Sequence, residues 1–225
     1  MTEETLYSNL MGVQVAPSTA SMKSLYLVQS GTQNYPGAVE GTIITAEADQ
    51  ELREDFGKEL EIIILGAKQF YTHTLGGKLM KNQDGKTRMT WVNSPSDGLP
   101  NSNRSPDGVV KNNLHNKYVI LLADKLADGD KEAYNLTLKP GSFKGVADIS
   151  KALKGKPQQN VVLSLSVRQE ENRDGTFKWQ GYRVENSRDS TAAERALAKE
   201  VMDGVLVPQL EQSKKPQAIV DRGHL

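Results

Sequence analysis

The segment 59–75 constrains the fold most, because its residues are typical of a β-strand over a length too great for a flat sheet. An apolar run at 62–65, IIIL, is followed directly by Gly66. A glycine within a strand allows a bulge or a sharp coil, because no side chain obstructs the bend. A strand bent in this way can serve two sheets of a small barrel. We therefore expect a barrel built around this segment.

Other stretches rich in β-branched and aromatic residues also predict strands. They lie at 24–29, 41–46, 117–123, 134–139, 160–169 and 175–185, with a hairpin at 78–92 that turns at Asp84 and Gly85. A second hairpin is predicted near the end of the series, since Asp174 and Gly175 predict a tight turn that joins the last two strands.

Two helices are predicted. The first has apolar residues at spacings of three and four and is followed by Gly155; these residues are Phe143, Val146, Ile149 and Leu153. The second begins with a capping box formed by Thr191 and Glu194 and ends before Pro208.

The central elements follow the order of an OB fold, a five-stranded Greek-key barrel with a helix before its last two strands. We predict a mainly β protein with two helices, in which an OB-fold-like five-stranded barrel carries extra N-terminal strands and a C-terminal helix. At least seven strand patterns compete for the five barrel positions, so the barrel strands stay unassigned. The predicted organisation is a flexible N-terminal arm (1–23), the barrel domain (24–188) with a mobile loop (93–116), a C-terminal helix (189–210) and a polar tail (211–225).

The composition narrows the function classes. The chain has 28 Lys and Arg against 28 Asp and Glu, so no net positive charge attracts a polyanion, although local clusters of charge still can. With no cysteine, a disulfide framework and cysteine-ligated zinc are excluded. An acidic start and the lack of a long apolar run predict a cytoplasmic protein without a membrane partner.

Enzyme signatures are missing from the sequence. It contains no P-loop, no G-x-G-x-x-G and no G-x-S-x-G, and its only histidines are His73, His115 and His224. We expect a protein that is not an enzyme and that uses no cofactor or metal.

Aromatic residues are interleaved with Lys and Arg in three places, a combination that suits base stacking beside phosphate contacts. The candidate nucleic-acid-binding residues are Lys68, Phe70 and Tyr71 on the long strand, Lys86, Arg88 and Trp91 on the following hairpin, and Arg168, Arg173, Lys178, Trp179, Tyr182 and Arg183 on the last hairpin. Strand alternation separates Trp179 and Arg183 from Lys178 and Tyr182 unless Gly181 marks a bulge. The alternative is burial of each aromatic ring in the core and a solvated strand face for the basic residues.

The order of several segments resembles the small single-stranded DNA-binding proteins encoded by tailed phages. It covers about residues 24–186, through LYLVQSGTQN, GKELEIIILGAKQFYTHT, NKYVILLADKL and NVVLSLSVRQEENRDGTFKWQGYRVE. The resemblance implies an OB-fold core and a role in coating single strands during replication and recombination. Two features depart from that family: the chain ends in SKKPQAIVDRGHL rather than an acidic tail, and it lacks the cysteines of the metal knot that some relatives carry.

We therefore expect sequence-independent binding of single-stranded DNA, with RNA as a second possible ligand, in phage or mobile-element replication or recombination. The alternative is a non-enzymatic structural or protein-interaction module, such as an assembly component or an inhibitor of a host protein. Self-association through the arm at 1–23 or through the C-terminal helix is compatible with both.

Overall fold

The computed structural model describes residues 22–31, 33–47, 49–75, 78–79, 110–139 and 142–206. The strands are β1 (Ser24–Leu27), β2 (Ile43–Thr45), β3 (Glu59–Leu75), β4 (Lys78–Leu79), β5 (Val110–Leu122), β6 (Ala133–Leu138), β7 (Val161–Glu171) and β8 (Lys178–Asp189). The α-helices are α1 (Ala123–Ala127), α2 (Phe143–Ala152) and α3 (Ala192–Val201), with a 3-10 turn at Gln158–Asn160 and a π-helical turn at Met202–Leu206.

One mixed sheet curls into a half-barrel, and the fold is mainly β as predicted. Its strands pair in the order β2-β1-β6-β5-β3-β7-β8, with the short β4 added to β3. All these pairs are antiparallel except that between β1 and β6. In the described residues this path is a half-barrel of seven strands rather than a barrel of five, because the N-terminal strands β1 and β2, predicted as extra strands, pair into the same sheet beside β6.

The bulge predicted in the long strand is confirmed. The register between β3 and β5 shifts between Ile64 and Gly66, so one extra residue of β3 faces its partner. Before the bulge Ile64 packs in the inner core, and beyond it Ala67 packs there. The side chains of the distal half of β3 are thus exchanged between the two faces, and this decides which of them point away from the barrel interior.

Both faces of the sheet are covered near its centre. The inner face, which includes Ile62, Ile120 and Leu163, packs against Ile149 of α2. The outer face, which includes Ile63, packs against α1 and α3. Burial on two faces explains the continuous apolar runs in β3, β5 and β7, since a strand with one wet face would alternate.

Helix α2 packs very closely on β8. A Cβ placed on Gly145 would lie 2.4 Å from the main-chain carbonyl oxygen of Tyr182. Only glycine therefore allows this approach, and the helix is held against the strand that ends the sheet.

Several expectations need correction. Residues 110–116, assigned to the mobile loop, lie in β5, where Leu114 and Asn116 are buried in the sheet. The short helix α1 lies between β5 and β6, where no helix was predicted, so the described residues hold three α-helices instead of the predicted two. The last hairpin strand runs to Asp189 rather than to 185.

The capping box of the C-terminal helix is confirmed: the Glu194 amide donates to Thr191 Oγ1 at 3.2 Å, and the Thr191 amide donates to Glu194 Oε2 at 2.6 Å. The arm up to residue 21, the hairpin beyond 79, the loop at 93–109 and the tail at 211–225 lie outside the described residues. In the part of the chain that is described, no helix has the length and hydropathy needed to cross a bilayer.

Candidate nucleic-acid interface

The two ends of the curled sheet approach each other, and a glutamine joins them. The Gln29 side chain, just after β1, donates from Nε2 to the carbonyl oxygen of Gln180 in β8 at 2.9 Å, and its Oε1 accepts from the Gln180 amide at 2.8 Å. The Gln180 side chain in turn donates to Glu40 at 2.9 Å. We call this junction between β1 and β8 the seam.

An open groove of about 360 Å³ lies along the seam. One wall carries Tyr26 of β1 and Lys139, which directly follows β6; the other carries Phe177 and Trp179 of the β7–β8 hairpin. These four residues are called the seam residues below. They come from distant parts of the sequence, and only the curling of the sheet brings them together.

The seam residues present aromatic faces beside a cation. The rings of Phe177 and Trp179 stack with centroids 5.8 Å apart and planes 26° apart, and Phe177 is 63% exposed. Opposite them, Lys139 Nζ lies 4.9 Å from the Tyr26 ring centroid. Tyr35 packs against Tyr26 with a centroid distance of 4.8 Å and so fixes its position. Exposed aromatic faces next to an ammonium can hold a nucleobase and its phosphate.

Three of the predicted basic residues form ion pairs within the protein. Arg168 donates to Glu185 at 2.9 Å, and Arg183 donates to Asp148 of α2 at 2.7 Å. Lys178 lies 3.9 Å from Glu171. The hydrogen bond to Asp148 is the largest influence that raises the pKa of Arg183. These cations are already neutralised, so their availability for phosphate is reduced.

Tyr182 lies in the inner core, with 3% of its surface exposed, and burial raises the pKa of its hydroxyl. The register is unbroken at Gly181, which pairs with Arg168; the bulge in this hairpin falls at Glu185 instead. Tyr182 and Trp179 therefore keep opposite faces, as strict alternation predicts. Arg173 is exposed in the hairpin loop.

The candidates on the long strand lie on a different part of the sheet. Lys68 and Phe70 are half-buried on β3, and Phe70 stacks on His115 of β5 with a centroid distance of 4.9 Å and an interplanar angle of 7°. The remaining candidates lie outside the described residues or have undescribed side chains: Tyr71, Lys86, Arg88 and Trp91.

Sequence reasoning missed Tyr26 and Lys139, which line the groove. The signal for Tyr26 was its place between Leu25 and Leu27, which makes it the outward residue of a half-buried strand. Lys139 gave no comparable signal, because its proximity to Tyr26 depends on the parallel pairing of β1 with β6. The described residues contain no group of three or more His, Asp or Glu side chains arranged to hold a metal ion.

Searches with protein-family models, with curated proteins and with solved structures found no match to this chain.

Proposed function

We propose that the protein binds single-stranded DNA without sequence preference, through the seam residues. The observation that carries the proposal is the groove itself, in which Lys139 over Tyr26 faces the Phe177–Trp179 stack. A base stacked on such a ring gains about 1 to 3 kcal/mol whatever its identity, because every base has a π-face. Stacking of this kind therefore favours binding of any sequence.

The charge of Lys139 supports a phosphate contact. Its ammonium has no ion-pair partner within the ranges that the structure describes, whereas Arg168, Lys178 and Arg183 are paired. One or a few free cations imply a shallow dependence of affinity on salt, at about 0.7 logarithmic units per phosphate contact on single strands. We expect stacking to contribute more of the affinity than charge does.

The fold proposed for this function is an OB barrel. The five strands β6-β5-β3-β7-β8 are neighbours in that order, and α2 lies in the chain between β6 and β7. This corresponds to an OB fold with its helix after the third strand. OB folds bind oligonucleotides on the face of their second and third strands and on adjoining loops. In this fold the second and third strands would be β5 and β6, and one adjoining loop would be that between β7 and β8. The seam groove adjoins that face.

The cellular role that goes with this proposal is the coating of single strands in phage or mobile-element replication or recombination, without catalysis. The experiment is a fluorescence-anisotropy titration of the protein against a 30-nucleotide oligothymidylate, the matching duplex and a single-stranded RNA at two salt concentrations. We expect tight binding to the single strand and weak binding to the duplex. Absence of binding to single strands at low salt would overturn the proposal.

Tyr26→Ala in the same titration tests the seam. Loss of one stacking platform should weaken single-strand binding by about tenfold, which corresponds to about 1.4 kcal/mol. Phe143→Ala is the matched control, because Phe143 is an aromatic residue 48% exposed on α2 that does not line the groove. Equal effects of the two substitutions would place the binding site elsewhere.

The second candidate function is a protein-interaction module. The internal pairing of Arg168, Lys178 and Arg183 favours it, as does the exposure of Phe177 at the groove. On this view an apolar peptide side chain would occupy the place of a base. A titration in which no nucleic acid binds would favour this candidate.

A further inference from the structure

Two lysines stand directly opposite each other on neighbouring strands. Lys68 of β3 and Lys117 of β5 are cross-strand partners in the register, and both are half-buried. Like charges in this position repel, and partial burial adds a cost for each. In the ranges described, neither ammonium has an ion pair with a carboxylate to offset these costs.

The direction of both pKa shifts agrees with this geometry. Burial lowers the pKa of Lys68, and burial together with the charge of Lys68 lowers the pKa of Lys117. An anion between the two ammonium groups would remove both costs at once, because it screens the repulsion and replaces the lost hydration.

An aromatic pair lies in the next row of the same face. Phe70 pairs across the strands with His115, one alternation beyond the lysines, and the two rings are stacked. The imidazole Nε2 of His115 lies 2.9 Å from Thr72 Oγ1, so its orientation is fixed by a hydrogen bond. Phe70 is half-buried and His115 is buried, so the half-buried phenylalanine ring is the part of this stack that lies beside the ammonium groups at the surface.

The lysine pair and the seam lie on one continuous face of the sheet. Lys117 pairs with Thr137 of β6, and Thr137 also lines the groove beside Lys139. Lys117 and Thr137 lie on the outer face of the sheet. They are separated by even numbers of residues from Val119 on β5 and Ala133 on β6, which pack in the outer core, and side chains at even spacings on a strand share a face. Three strand spacings of about 4.8 Å separate β1 from β3, so the two sites lie about 14 Å apart.

We infer that Lys68 and Lys117 bind a phosphodiester of the single strand beside the Phe70–His115 stack, so that the strand runs from the seam across the outer face of β6 and β5 to β3. This inference rests on the proposed function and adds a second contact site to it. A longer single strand then occupies both sites, whereas a very short one occupies the seam alone.

The experiment compares an oligothymidylate of about two nucleotides, which is too short to reach both sites, with one of about twelve, which lies within the range of about 4 to 16 nucleotides that single OB folds cover. Affinity is measured against salt for the wild type, Lys68→Gln, Lys117→Gln and the double variant. The two lysines share one phosphodiester, so we expect the double variant Lys68→Gln/Lys117→Gln to lower the salt slope for the longer oligonucleotide by about 0.7, the loss of one phosphate contact. Each single substitution should lower it by a part of that, and the slope for the shorter oligonucleotide should stay unchanged.

Lys117→Arg keeps the positive charge and should keep the salt slope of the wild type. Lys154→Gln is the control, since Lys154 is an exposed lysine beyond α2. Thermal melts confirm that the variants fold; removal of a half-buried charge should not destabilise the protein. If the wild type binds both oligonucleotides and the lysine variants keep its salt slope, this inference fails while the proposed function stands. If no single strand binds, both fail.

Discussion

The Gln29 side chain pairs with the main chain of Gln180 at the edge of the sheet. The Gln29 side chain makes the two hydrogen bonds, 2.9 and 2.8 Å, that a neighbouring strand would make with the backbone of Gln180. β8 is the last strand of the sheet, so these groups would otherwise have no partner in a ladder. One side chain thus holds the half-barrel in the curvature that creates the seam groove.

Gln29→Ala should therefore destabilise the protein by about 1 to 2 kcal/mol, because it leaves a main-chain donor and an acceptor unpaired at a partly buried position. Chemical denaturation measures the free energy of unfolding. Gln169→Ala is the control: Gln169 lies across from Gln180 on β7 and is exposed, so its loss should cost less than about 0.5 kcal/mol. Equal costs for the two variants would contradict a bridging role for Gln29.

Gly145→Ala should destabilise the protein by about 1 to 3 kcal/mol, the usual cost of overpacking a tight contact. The added methyl group would lie 2.4 Å from the Tyr182 carbonyl oxygen, so α2 must move away from β8. Ser150→Ala, at an exposed position on the same helix, should be close to neutral. A stabilised Gly145→Ala variant would show that helix propensity outweighs the close approach.

Parts of this fold could be predicted from local sequence. The bulge at Gly66 followed from strand length and the missing side chain, and the capping box of α3 from two residues three positions apart. Helix α1 could not be recognised, because its five residues are too few to show a helical period. The sequence also could not show on which face of the sheet Lys68 lies. Before the bulge β3 is buried on both faces, so its apolar and polar residues do not alternate there.

The candidate site depended on contacts between distant segments. The pairing of Arg183 with Asp148 follows from the packing of α2 on β8, which no local pattern encodes. Likewise, Tyr26 and Lys139 meet only because β1 pairs with β6. Sequence reasoning identified the aromatic and basic hairpin but could not separate its exposed rings from Tyr182 in the core.

Glu194 should make the stability of the protein sensitive to acid. Hydrogen bonds from Arg188, the largest influence, and from Thr191 lower the pKa of its carboxyl from the ordinary value of 4.5 to about 2. A carboxyl whose pKa is lowered by folding stabilises the native state above the unfolded value, and this contribution is lost as the pH falls from 4.5 towards 2.

Glu194→Gln should therefore cost about 1 kcal/mol at pH 7, and this cost should shrink below pH 4.5 and vanish once the pH is below 2, as measured by thermal or urea unfolding across that range. Glu200→Gln is the control, because Glu200 forms its pair with Lys131 at the surface and is 61% exposed. A cost for Glu194→Gln that stays constant down to the lowest pH would show that its charge does not stabilise α3.

Tyr182→Phe tests whether this residue acts in the core or on a ligand. Its hydroxyl oxygen is buried without a hydrogen-bond partner among the described residues, so its removal should be neutral or slightly stabilising. Tyr182→Ala should instead cost about 3 to 5 kcal/mol, as for other large core residues. Single-strand affinity per folded molecule should stay unchanged in Tyr182→Phe, and a large loss of affinity would assign Tyr182 to the interface.

Trp179→Ala separates stability from binding at the seam. Trp179 is half-buried and stacks on Phe177, so the variant should lose less stability than Tyr182→Ala. If a base stacks at the seam, its single-strand affinity should fall by about 1 to 3 kcal/mol, or about fivefold to more than a hundredfold. Phe177→Leu is a useful companion, because it keeps apolar area and removes the π-face beside Trp179. If Trp179→Ala melts at a much lower temperature yet binds normally per folded molecule, Trp179 is not part of the site. The same result for Phe177→Leu would contradict base stacking at this wall of the groove.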